Sequence, residues 1–198
     1  EEFRKQSIPV VLVNNYLDMD GLVCISADHY GGAVQATEYL CKLGHCKIGL
    51  LSGRFSPQVS EARIEGFVKT LAKYDIPVDD RFIADIEPAL EDGEEIMTRM
   101  LRGVDRPTAF FCTNDTIAAG AMKAVTRAGL RVPEDIAIIG FDDSYISRVV
   151  EPELTTVRID AAKMGCLAMQ TLFDLIAGMP VEKAHIQIPT ELIVRGTA

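Results

Sequence analysis

Short apolar segments alternate with helix-like patterns along most of this 198-residue chain, and this alternation limits the possible folds more than any other feature. Clear strand patterns are "KIGLLSG" (47–53), "PTAFFCTND" (107–115) and "DIAIIGFDD" (135–143). Amphipathic helix patterns such as "SEARIEGFVKTLAKY" (60–74) lie between them. Buried strands joined through helices form parallel sheets with right-handed crossovers. The pattern therefore predicts an α/β fold in which parallel sheets are flanked by helices.

The composition excludes several classes of protein. Apolar residues make up 48% of the chain, which supports a substantial core and argues against disorder. The formal net charge of −9 repels phosphate backbones, so we do not expect these residues to bind nucleic acid on their own. No apolar run is long enough to span a bilayer, and the charged start "EEFRK" is not a secretory signal. We therefore expect no membrane association.

The cysteines and histidines show no metal or disulfide pattern. The 5 cysteines lack CxxC spacing and mostly lie within apolar runs, which is typical of reduced, buried side chains in a cytoplasmic protein. The histidines His29, His45 and His185 are scattered along the chain without metal-ligand spacing. We therefore expect a cytoplasmic protein with no metal and no cofactor.

Polar residues end three of the strand patterns. The pairs are Asn14–Asn15, Asn114–Asp115 and Asp142–Asp143. In open parallel sheets, ligands bind at the carboxyl ends of the strands, so these pairs contain candidate ligand contacts.

The two members of a pair can have different roles, because neighbouring residues of a strand point in opposite directions. We predict that Asn114 and Asp142, the residues nearer the strand, face a ligand. We predict that Asp115 and Asp143 cap the helix or turn that follows, with Thr116 and Ser144 as the alternative caps. Adjacent residues that point apart also make a poor catalytic pair of carboxylates, so Asp142 and Asp143 do not indicate an enzyme.

Arg63 follows the polar loop "FSPQVS" near the start of an amphipathic helix. Two interpretations stay open: a solvated arginine paired with Glu61 or Glu65, and a fork of hydrogen-bond donors that reaches into a cleft. Asn, Asp and Arg side chains around one cleft suit a neutral, hydroxyl-rich ligand or a heterocycle, and they need no metal.

Catalytic motifs are absent from the sequence. It contains no GxSxG nucleophile elbow, no GxGxxG dinucleotide fingerprint and no Walker A phosphate loop. The sequence therefore predicts a binding protein rather than an enzyme.

Segments over almost the whole chain resemble, in order, the lactose-repressor (LacI/GalR) family of bacterial transcription regulators. They are "IPVVLVN", "DHYGGAVQATEYLCKLGHCKIGLLSG", "ARIEGFVKTL", "RPTAFFCTNDTIAAGAMKAVTRAGLRVPEDIAIIGFDDS", "PELTTVRID" and "ELIVRG". The resemblance implies a type I periplasmic-binding-protein fold, with two Rossmann-like lobes joined by three crossovers and a small effector in the cleft. It also implies a homodimer that binds operator DNA through an N-terminal helix-turn-helix, with operator affinity linked to effector binding.

The resemblance also divides the chain between the two lobes. Residues 1–26 and 159–179 would form part of an N-terminal lobe, and residues 27–158 and 180–198 a nearly complete C-terminal lobe. A charged, helix-like segment and a strand open the chain without a preceding βαβ unit, so we expect the later part of a larger protein. Operator DNA would then be contacted only through an N-terminal domain that lies outside this chain.

The resemblance assigns effector contacts to Asn14, Arg63, Asn114 and Asp142. Arg63 lies three residues before the Gly of "RIEGF", Asn114 is the Asn of "ND", and Asp142 is the first Asp of "FDD". Asn14 ends the "VVLV" strand at a position where the family often has Asp. The family often stacks an aromatic ring on the effector from the loop that reads "IEPAL" here, with Pro88 near the expected place.

Dimer contacts in the family fall on the helix after "ND" and on the loop before "LTT". The corresponding residues here are Ala118, Ala119, Met122 and Val150. Small and flexible apolar side chains suit close packing between helices at an interface. The alternative is that these residues belong to the core of the monomer.

The implied function is effector binding and dimerisation in the core of a LacI-type transcription regulator, with a sugar or related polar molecule as the effector. An alternative is a periplasmic sugar-binding protein of an ABC transporter, which shares the fold but typically lacks "PEDIAIIGFDD" and has few cysteines. A third alternative is an α/β enzyme that uses Asp142 and Asp143, and no triad, metal cluster or phosphate loop in the sequence supports it.

Overall fold

The computed structural model describes residues 8–17, 19, 21–103, 105–181 and 184–198. Its helices are α1 (His29–Lys42), α2 (Pro57–Lys73), α3 (Leu90–Leu101), α4 (Asp115–Arg127) and α5 (Ala161–Ile176). Its strands are β1 (Val11–Val13), β2 (Val23–Ala27), β3 (Ile48–Gly53), β4 (Ile83–Ile86), β5 (Ala109–Cys112), β6 (Ala137–Asp142), β7 (Thr155–Arg158), β8 (His185–Ile188) and β9 (Glu191–Ile193). This alternation of strands and helices confirms the predicted α/β class.

Two compact units share the described residues. The smaller unit takes the described residues of Glu1–Asp28 together with Ile159–Thr190, and the larger takes His29–Arg158 together with Glu191–Ala198. The chain therefore passes from one unit to the other three times, in agreement with the three crossovers that the family resemblance implies.

The smaller unit contains a parallel sheet in the order β1-β2-β8. Its central strand β2 is buried along its whole length. Helix α5 packs on this sheet through Met164 and Ala168, which form a cluster with Ile25, Ala27 and Ile188. A central strand buried in this way is typical of a parallel sheet that is covered by a helix.

The described residues between 180 and 190 lie in the smaller unit, which differs from the boundary expected from the sequence. Strand β8 pairs in parallel with β2, with Cys24 opposite His185 and Ala27 opposite Ile188. The chain enters the larger unit only at Glu191, where β9 begins. The expected boundary kept 180–198 together as one segment, whereas the break at Pro189 and Thr190 sends β8 and β9 to different sheets.

The larger unit contains a six-stranded sheet in the order β4-β3-β5-β6-β7-β9. All neighbouring strands are parallel except β7 and β9, which are antiparallel. Strands β3 and β5 are buried along their whole length, as central strands of a parallel sheet should be. Helices α1 and α2 pack together, and so do α3 and α4. The carboxyl ends of β3, β5 and β6 lie at one edge of this sheet, where polar residues gather.

Helix α4 lies unusually close to α3, and Gly120 makes this approach possible. A Cβ atom at Gly120 would lie 2.1 Å from the carbonyl oxygen of Leu90 and 2.8 Å from the backbone nitrogen of Glu94. Both distances are far below a normal contact, so only glycine allows the two helix backbones to pack in this way.

Most of the dimer contacts expected from the sequence are buried within the larger unit. Ala118, Ala119 and Met122 are only 0%, 6% and 5% exposed, and Ala118 and Met122 belong to the hydrophobic core of the larger unit. Val150 is partly buried against the same core. These side chains therefore pack within the monomer, because the Ala/Met face of α4 is used for packing inside the larger unit.

All 5 cysteines are free thiols, but their burial differs. Cys24, Cys41 and Cys112 are buried, as expected, whereas Cys46 and Cys166 are exposed. In the described part of the chain, no helix combines the length and the apolar character that a membrane span requires.

Candidate functional site

Arg63 of α2 lies at the polar edge of the larger sheet, where it is 2% exposed. Its Nη1 donates to the carbonyl oxygen of Thr113, and its Nη2 donates to Oδ1 of Asp142 over 3.3 Å. The guanidinium carbon lies 3.9 Å from the centre of the Phe141 ring and 5.0 Å from that of Phe55. Aromatic faces stabilise a cation at such distances, so the guanidinium is held by polar and aromatic contacts together.

Burial decides between the two interpretations of Arg63. The solvated arginine paired with Glu61 or Glu65 is wrong, since Arg63 is buried and Glu65 pairs with Lys69 instead. The fork of donors fits the observed contacts. Burial lowers the pKa of Arg63 to about 10, opposed by Asp142, so the guanidinium keeps its charge at neutral pH.

Asp142 ends β6 and keeps 37% of its side chain exposed. Burial raises the pKa of this carboxyl to about 6, although the positive charge of Arg63 acts in the opposite direction. Its backbone φ is 111°, a value that residues other than glycine rarely adopt. Backbone strain of this kind concentrates at functional sites, where the surrounding structure maintains it. Asp142 therefore combines a strained backbone with a partly exposed carboxylate at the end of a central strand.

Asp143 is satisfied entirely within the protein. Its side chain is 2% exposed, and its carboxylate accepts hydrogen bonds from Ser147 at 3.0 Å, Arg158 at 2.7 Å and Arg195 at 2.5 Å. Burial would raise its pKa, but hydrogen bonds from Arg195 and Arg158 lower it to about 2. The predicted structural role agrees with the contact to Ser147 in the following 3₁₀ turn, although Ser144, not Asp143, is the N-cap of that turn.

Asn114 and Asp115 have roles that the sequence did not predict. Asn114 is the N-cap of α4, with an extended backbone and an Oδ1 atom that accepts from the backbone N–H of Ile117 at 2.8 Å. The predicted cap at Asp115 is wrong, because the helix already begins at this residue and a cap must precede it. Asn114 is buried, and its cap uses Oδ1 alone, so its role as an effector contact stays a prediction.

Asp115 is a buried hydrogen-bond acceptor that joins three segments of the larger unit. It accepts from the Ser144 backbone N–H at 2.6 Å and from the Thr156 hydroxyl at 2.5 Å. A Cβ atom at Gly140 would lie 2.5 Å from its Oδ1, so the glycine provides the space for this carboxylate. Burial raises the pKa of Asp115, and the two hydrogen bonds oppose that effect. Asp115 therefore fixes the segment that carries Asp142.

His29 belongs to the same edge, and sequence reasoning missed it. It is 5% exposed, and its Nδ1 lies 3.2 Å from Nη2 of Arg63. Burial lowers the pKa of His29 to about 3, and the charge of Arg63 lowers it further. Metal-ligand spacing in the sequence does not reveal a histidine of this kind. Its place two residues after β2, where another buried strand ends, was the available signal.

Four buried side-chain polar atoms in the described part of the chain have no hydrogen-bond partner there. They lie on α1, β3, α2 and the segment that follows β6. They are His29 Nε2, Ser52 Oγ, Arg63 Nε and Ser144 Oγ. Buried polar groups in native proteins are nearly always satisfied, so such a group of atoms points to a binding region.

Asn14 lies at the end of β1 in the smaller unit. It is exposed, has a backbone φ of 54°, and donates its backbone N–H to the carbonyl oxygen of Ile25 at 2.7 Å. Asn tolerates this left-handed conformation better than most residues. Its role as an effector contact stays a prediction.

Phe55 and Tyr145 are the two aromatic residues that could replace the ring that the family often stacks from the loop around Pro88, and they differ in position. Phe55 is half-buried and packs against Arg63, whereas Tyr145 is 80% exposed. Within the described residues, no group of three or more His, Cys, Asp and Glu side chains could hold a metal ion. The contacts observed at this edge are hydrogen bonds and ring contacts.

The chain matches a model of the periplasmic binding protein-like domain over residues 37–198. It is 36% identical over 191 residues to the HTH-type transcriptional repressor PurR of Pasteurella multocida (strain Pm70). This match covers 96% of the chain and 57% of the repressor, so the chain spans little more than half of that relative.

Solved structures match the fold closely. A regulatory protein of the LacI family from Chloroflexus aggregans is 31% identical with a TM-score of 0.92, and the match covers 99% of this chain and 70% of that one. A LacI family transcriptional regulator from Enterococcus faecium, solved with bound ribose, is 27% identical with a TM-score of 0.90, over 98% of this chain and 72% of that one. The chain therefore belongs to the LacI family of regulatory proteins, within their periplasmic-binding-protein-like domain.

Proposed function

We propose that this chain is the effector-binding and dimerisation core of a LacI-type transcription regulator, without catalytic activity, in the cytoplasm. Its effector is a sugar-like or other small polar molecule that binds at the polar edge of the larger sheet. Arg63, Asn114 and Asp142 are the proposed contacts at this edge, and Asn14 of the smaller unit is a fourth candidate that its own variant must test.

The ion pair between Arg63 and Asp142 carries this proposal. The side chain of Arg63 is 3% exposed, whereas that of Asp142 is 37% exposed. A ligand at this edge therefore meets the carboxylate, while the guanidinium holds that carboxylate in place. A buried ion pair rarely stabilises a fold more than well-packed apolar residues do, so its presence supports a role in binding.

The groups at the edge define the chemistry of the effector. Asp142 accepts from Arg63 through Oδ1, which leaves Oδ2 to accept from a ligand. Asn114 uses Oδ1 for the helix cap, which leaves its Nδ2 group to donate. A neutral molecule with hydroxyl groups can satisfy both, because a hydroxyl donates and accepts. The ribose bound to the Enterococcus faecium regulator is a molecule of this kind.

Operator DNA is contacted, in this proposal, by a helix-turn-helix domain outside these 198 residues. The PurR relative is an HTH-type repressor of which the chain spans 57%, and the net charge of −9 disfavours direct contact with DNA. The alternative role, a periplasmic sugar-binding protein of an ABC transporter, uses the same fold. A named repressor and two regulators among the relatives favour the regulator.

The dimer is proposed to form through exposed apolar residues close in sequence to Val150. Tyr145 and Val149 are 80% and 55% exposed in the segment between β6 and β7. This segment replaces the buried face of α4 as the proposed interface. Aromatic side chains are enriched at protein interfaces, and the buried centre of an interface is more apolar than the rest of the surface.

A ligand screen followed by calorimetry tests the effector site. Full-length protein is screened by thermal shift against sugars, nucleosides and polyols, since a compound that binds the folded state raises the melting temperature. The best compound is then titrated into the wild type and into Asp142→Asn. A hydrogen bond to a charged group contributes about 1.5–3 kcal/mol, so we expect binding to weaken by roughly 10- to 100-fold.

The matched control is Glu65→Gln, the same removal of a carboxylate on the helix that carries Arg63. Glu65 pairs only with Lys69 at the surface in the described structure, so this variant should bind like the wild type. The proposal fails if no compound in the panel raises the melting temperature, or if Asp142→Asn binds as tightly as the control.

A further inference from the structure

His29 is a buried imidazole that the roles assigned so far do not explain. It is the first residue of α1, is 5% exposed, and its ring centre lies 6.1 Å from that of Phe141. Its Nε2 atom is buried without a hydrogen-bond partner among the described residues. An unpaired N–H in a protein interior costs free energy that an apolar side chain would avoid. The imidazole must therefore contribute through its other nitrogen, Nδ1.

The contact with Arg63 defines which nitrogen carries the proton. Nδ1 of His29 lies 3.2 Å from Nη2 of Arg63. A guanidinium can only donate hydrogen bonds, so Nδ1 must accept and the proton of a neutral imidazole must be on Nε2. The geometry therefore specifies the neutral Nε2–H tautomer.

The surroundings of His29 keep the imidazole neutral. Burial lowers its pKa to about 3, and the positive charge of Arg63 from α2 acts in the same direction. Asp142 of β6 contacts the same guanidinium, and Asp115 of α4 also acts on it electrostatically, so the carboxylates compensate Arg63 rather than the imidazole. A protonated His29 would place two cations side by side, without an acceptor for Nη2 on that side.

Arg63 is held from several directions, and His29 provides one of them. Thr113 accepts from Nη1, Asp142 and His29 both accept from Nη2, and the ring of Phe141 lies against the guanidinium carbon. A planar guanidinium has fixed donor directions, so acceptors on different segments define its orientation. Loss of the His29 acceptor leaves Asp142 as the acceptor for Nη2 among the described residues.

We propose that His29 is a positioning residue of the site: as a neutral Nε2–H imidazole it accepts from Arg63 through Nδ1, fixes the orientation of the guanidinium, and so maintains the pairing of Arg63 with Asp142. The importance of this pairing for an effector rests on the proposed function. The pairing itself can be tested without any effector, so the two ideas can fail separately.

Nuclear magnetic resonance of full-length protein with labelled histidine and aspartate tests the proposal. The nitrogen shifts of the wild-type imidazole should show the Nε2–H tautomer, with no protonation of His29 between about pH 5 and pH 8. A proton on Nδ1, or protonation of His29 within this range, would overturn the proposal. This measurement needs no variant that could fail to fold.

Three variants then separate positioning from packing. His29→Leu removes the acceptor, and His29→Asn places an amide oxygen where Nδ1 lies. The control is His45→Leu, which changes a histidine on the loop after α1 that contacts Thr108. We expect the pKa of the Asp142 carboxyl to rise in His29→Leu, since a weaker contact with Arg63 removes an effect that lowers it. His29→Asn and His45→Leu should leave it near the wild-type value. Equal carboxyl titration in His29→Leu and the wild type would exclude the positioning role.

Discussion

Asp142 and Asp143 are neighbours in sequence with opposite physical environments. Burial raises the pKa of Asp142 to about 6, since one arginine partner only partly compensates the loss of water. Burial acts on Asp143 as well, but Arg195 and Arg158 donate to it and lower its pKa to about 2. The carboxylate of Asp143 is therefore used within the protein, whereas that of Asp142 remains available to a ligand.

The raised pKa of Asp142 predicts a pH dependence of stability. The ordinary value of this carboxyl is 3.8, so the folded protein holds its proton to higher pH than the unfolded chain does. Its contribution to the free energy of unfolding is therefore fully present below about pH 4 and is lost as the pH rises through about 6. Asp142→Asn cannot titrate and should lack this component.

Urea unfolding at several pH values measures this difference. The wild type should lose about 1 kcal/mol relative to Asp142→Asn between about pH 4 and pH 6.5. The full shift corresponds to about 3 kcal/mol, and we reduce it because 37% of the side chain is exposed to screening by water. Asp85→Asn, at a side chain that is 61% exposed, is the control. Parallel curves for the wild type and Asp142→Asn would contradict the burial argument.

At the scale of elements, the start of α4 brings three functions together. Asn114 caps the helix, Asp115 holds Ser144 and Thr156, and Gly120 allows α3 to approach. The contacts of Asp115 and Gly120 join α4 to other elements of the larger unit, whereas the Asn114 cap stabilises the start of the helix itself. Helix α4 therefore connects the core of the larger unit to the edge that carries Asp142.

A substitution at Gly120 tests how closely α3 and α4 must pack. Gly120→Ala places a methyl group 2.1 Å from the Leu90 carbonyl oxygen, so the helices must separate. We expect the free energy of unfolding to fall by about 2 kcal/mol or more, as is typical of overpacked cores. Chemical denaturation followed by circular dichroism measures the change.

The control for this prediction is Gly165→Ala in the exposed part of α5. A Cβ atom at Gly165 meets nothing within 4 Å, so the same substitution should stabilise the helix by about 0.5–1 kcal/mol. Similar effects at the two positions would show that helix propensity, rather than close packing, determines the outcome.

At the scale of the whole molecule, the described residues form two units that share three chain crossings. Arg158 ends the first segment of the larger unit and Arg195 lies in its second, and both donate to Asp143. The contact between Arg195 and Asp143 therefore adds to the pairing of β7 with β9, which also joins the two segments of the larger unit, and it lies next to the proposed effector contact.

The oligomeric state is the prediction that belongs to this scale. Val149→Asp places a charge at an exposed apolar position of the proposed interface. We expect the dimer dissociation constant of the full-length protein to rise at least about tenfold, because a buried unpaired charge weakens association. Sedimentation velocity over a range of concentrations measures this change.

Leu43→Asp is the matched control, since Leu43 is 50% exposed on the turn after α1. This variant should dimerise like the wild type. An unchanged dissociation constant in Val149→Asp, or equal weakening in both variants, would place the interface elsewhere.

Sequence reasoning predicted several residues of the candidate site but not the contacts between them. Arg63, Asn114 and Asp142 were all chosen from motifs and strand ends, and all lie at one edge of the larger sheet. His29 was not chosen, because its role depends on a contact with Arg63, 34 residues away along the chain. Asp115 was assigned to the cap because sequence cannot decide a helix start to within one residue.

The sequence by itself determined the α/β class, since alternating apolar and amphipathic periods arise from neighbours along the chain. It also indicated the strand ends that carry the polar residues. Only the tertiary structure decided that Ala118 and Met122 pack inside the larger unit, that β8 joins the smaller sheet, and that Arg63 reaches Asp142 across 79 positions. These outcomes depend on which distant segments meet, and local periodicity contains no information about that.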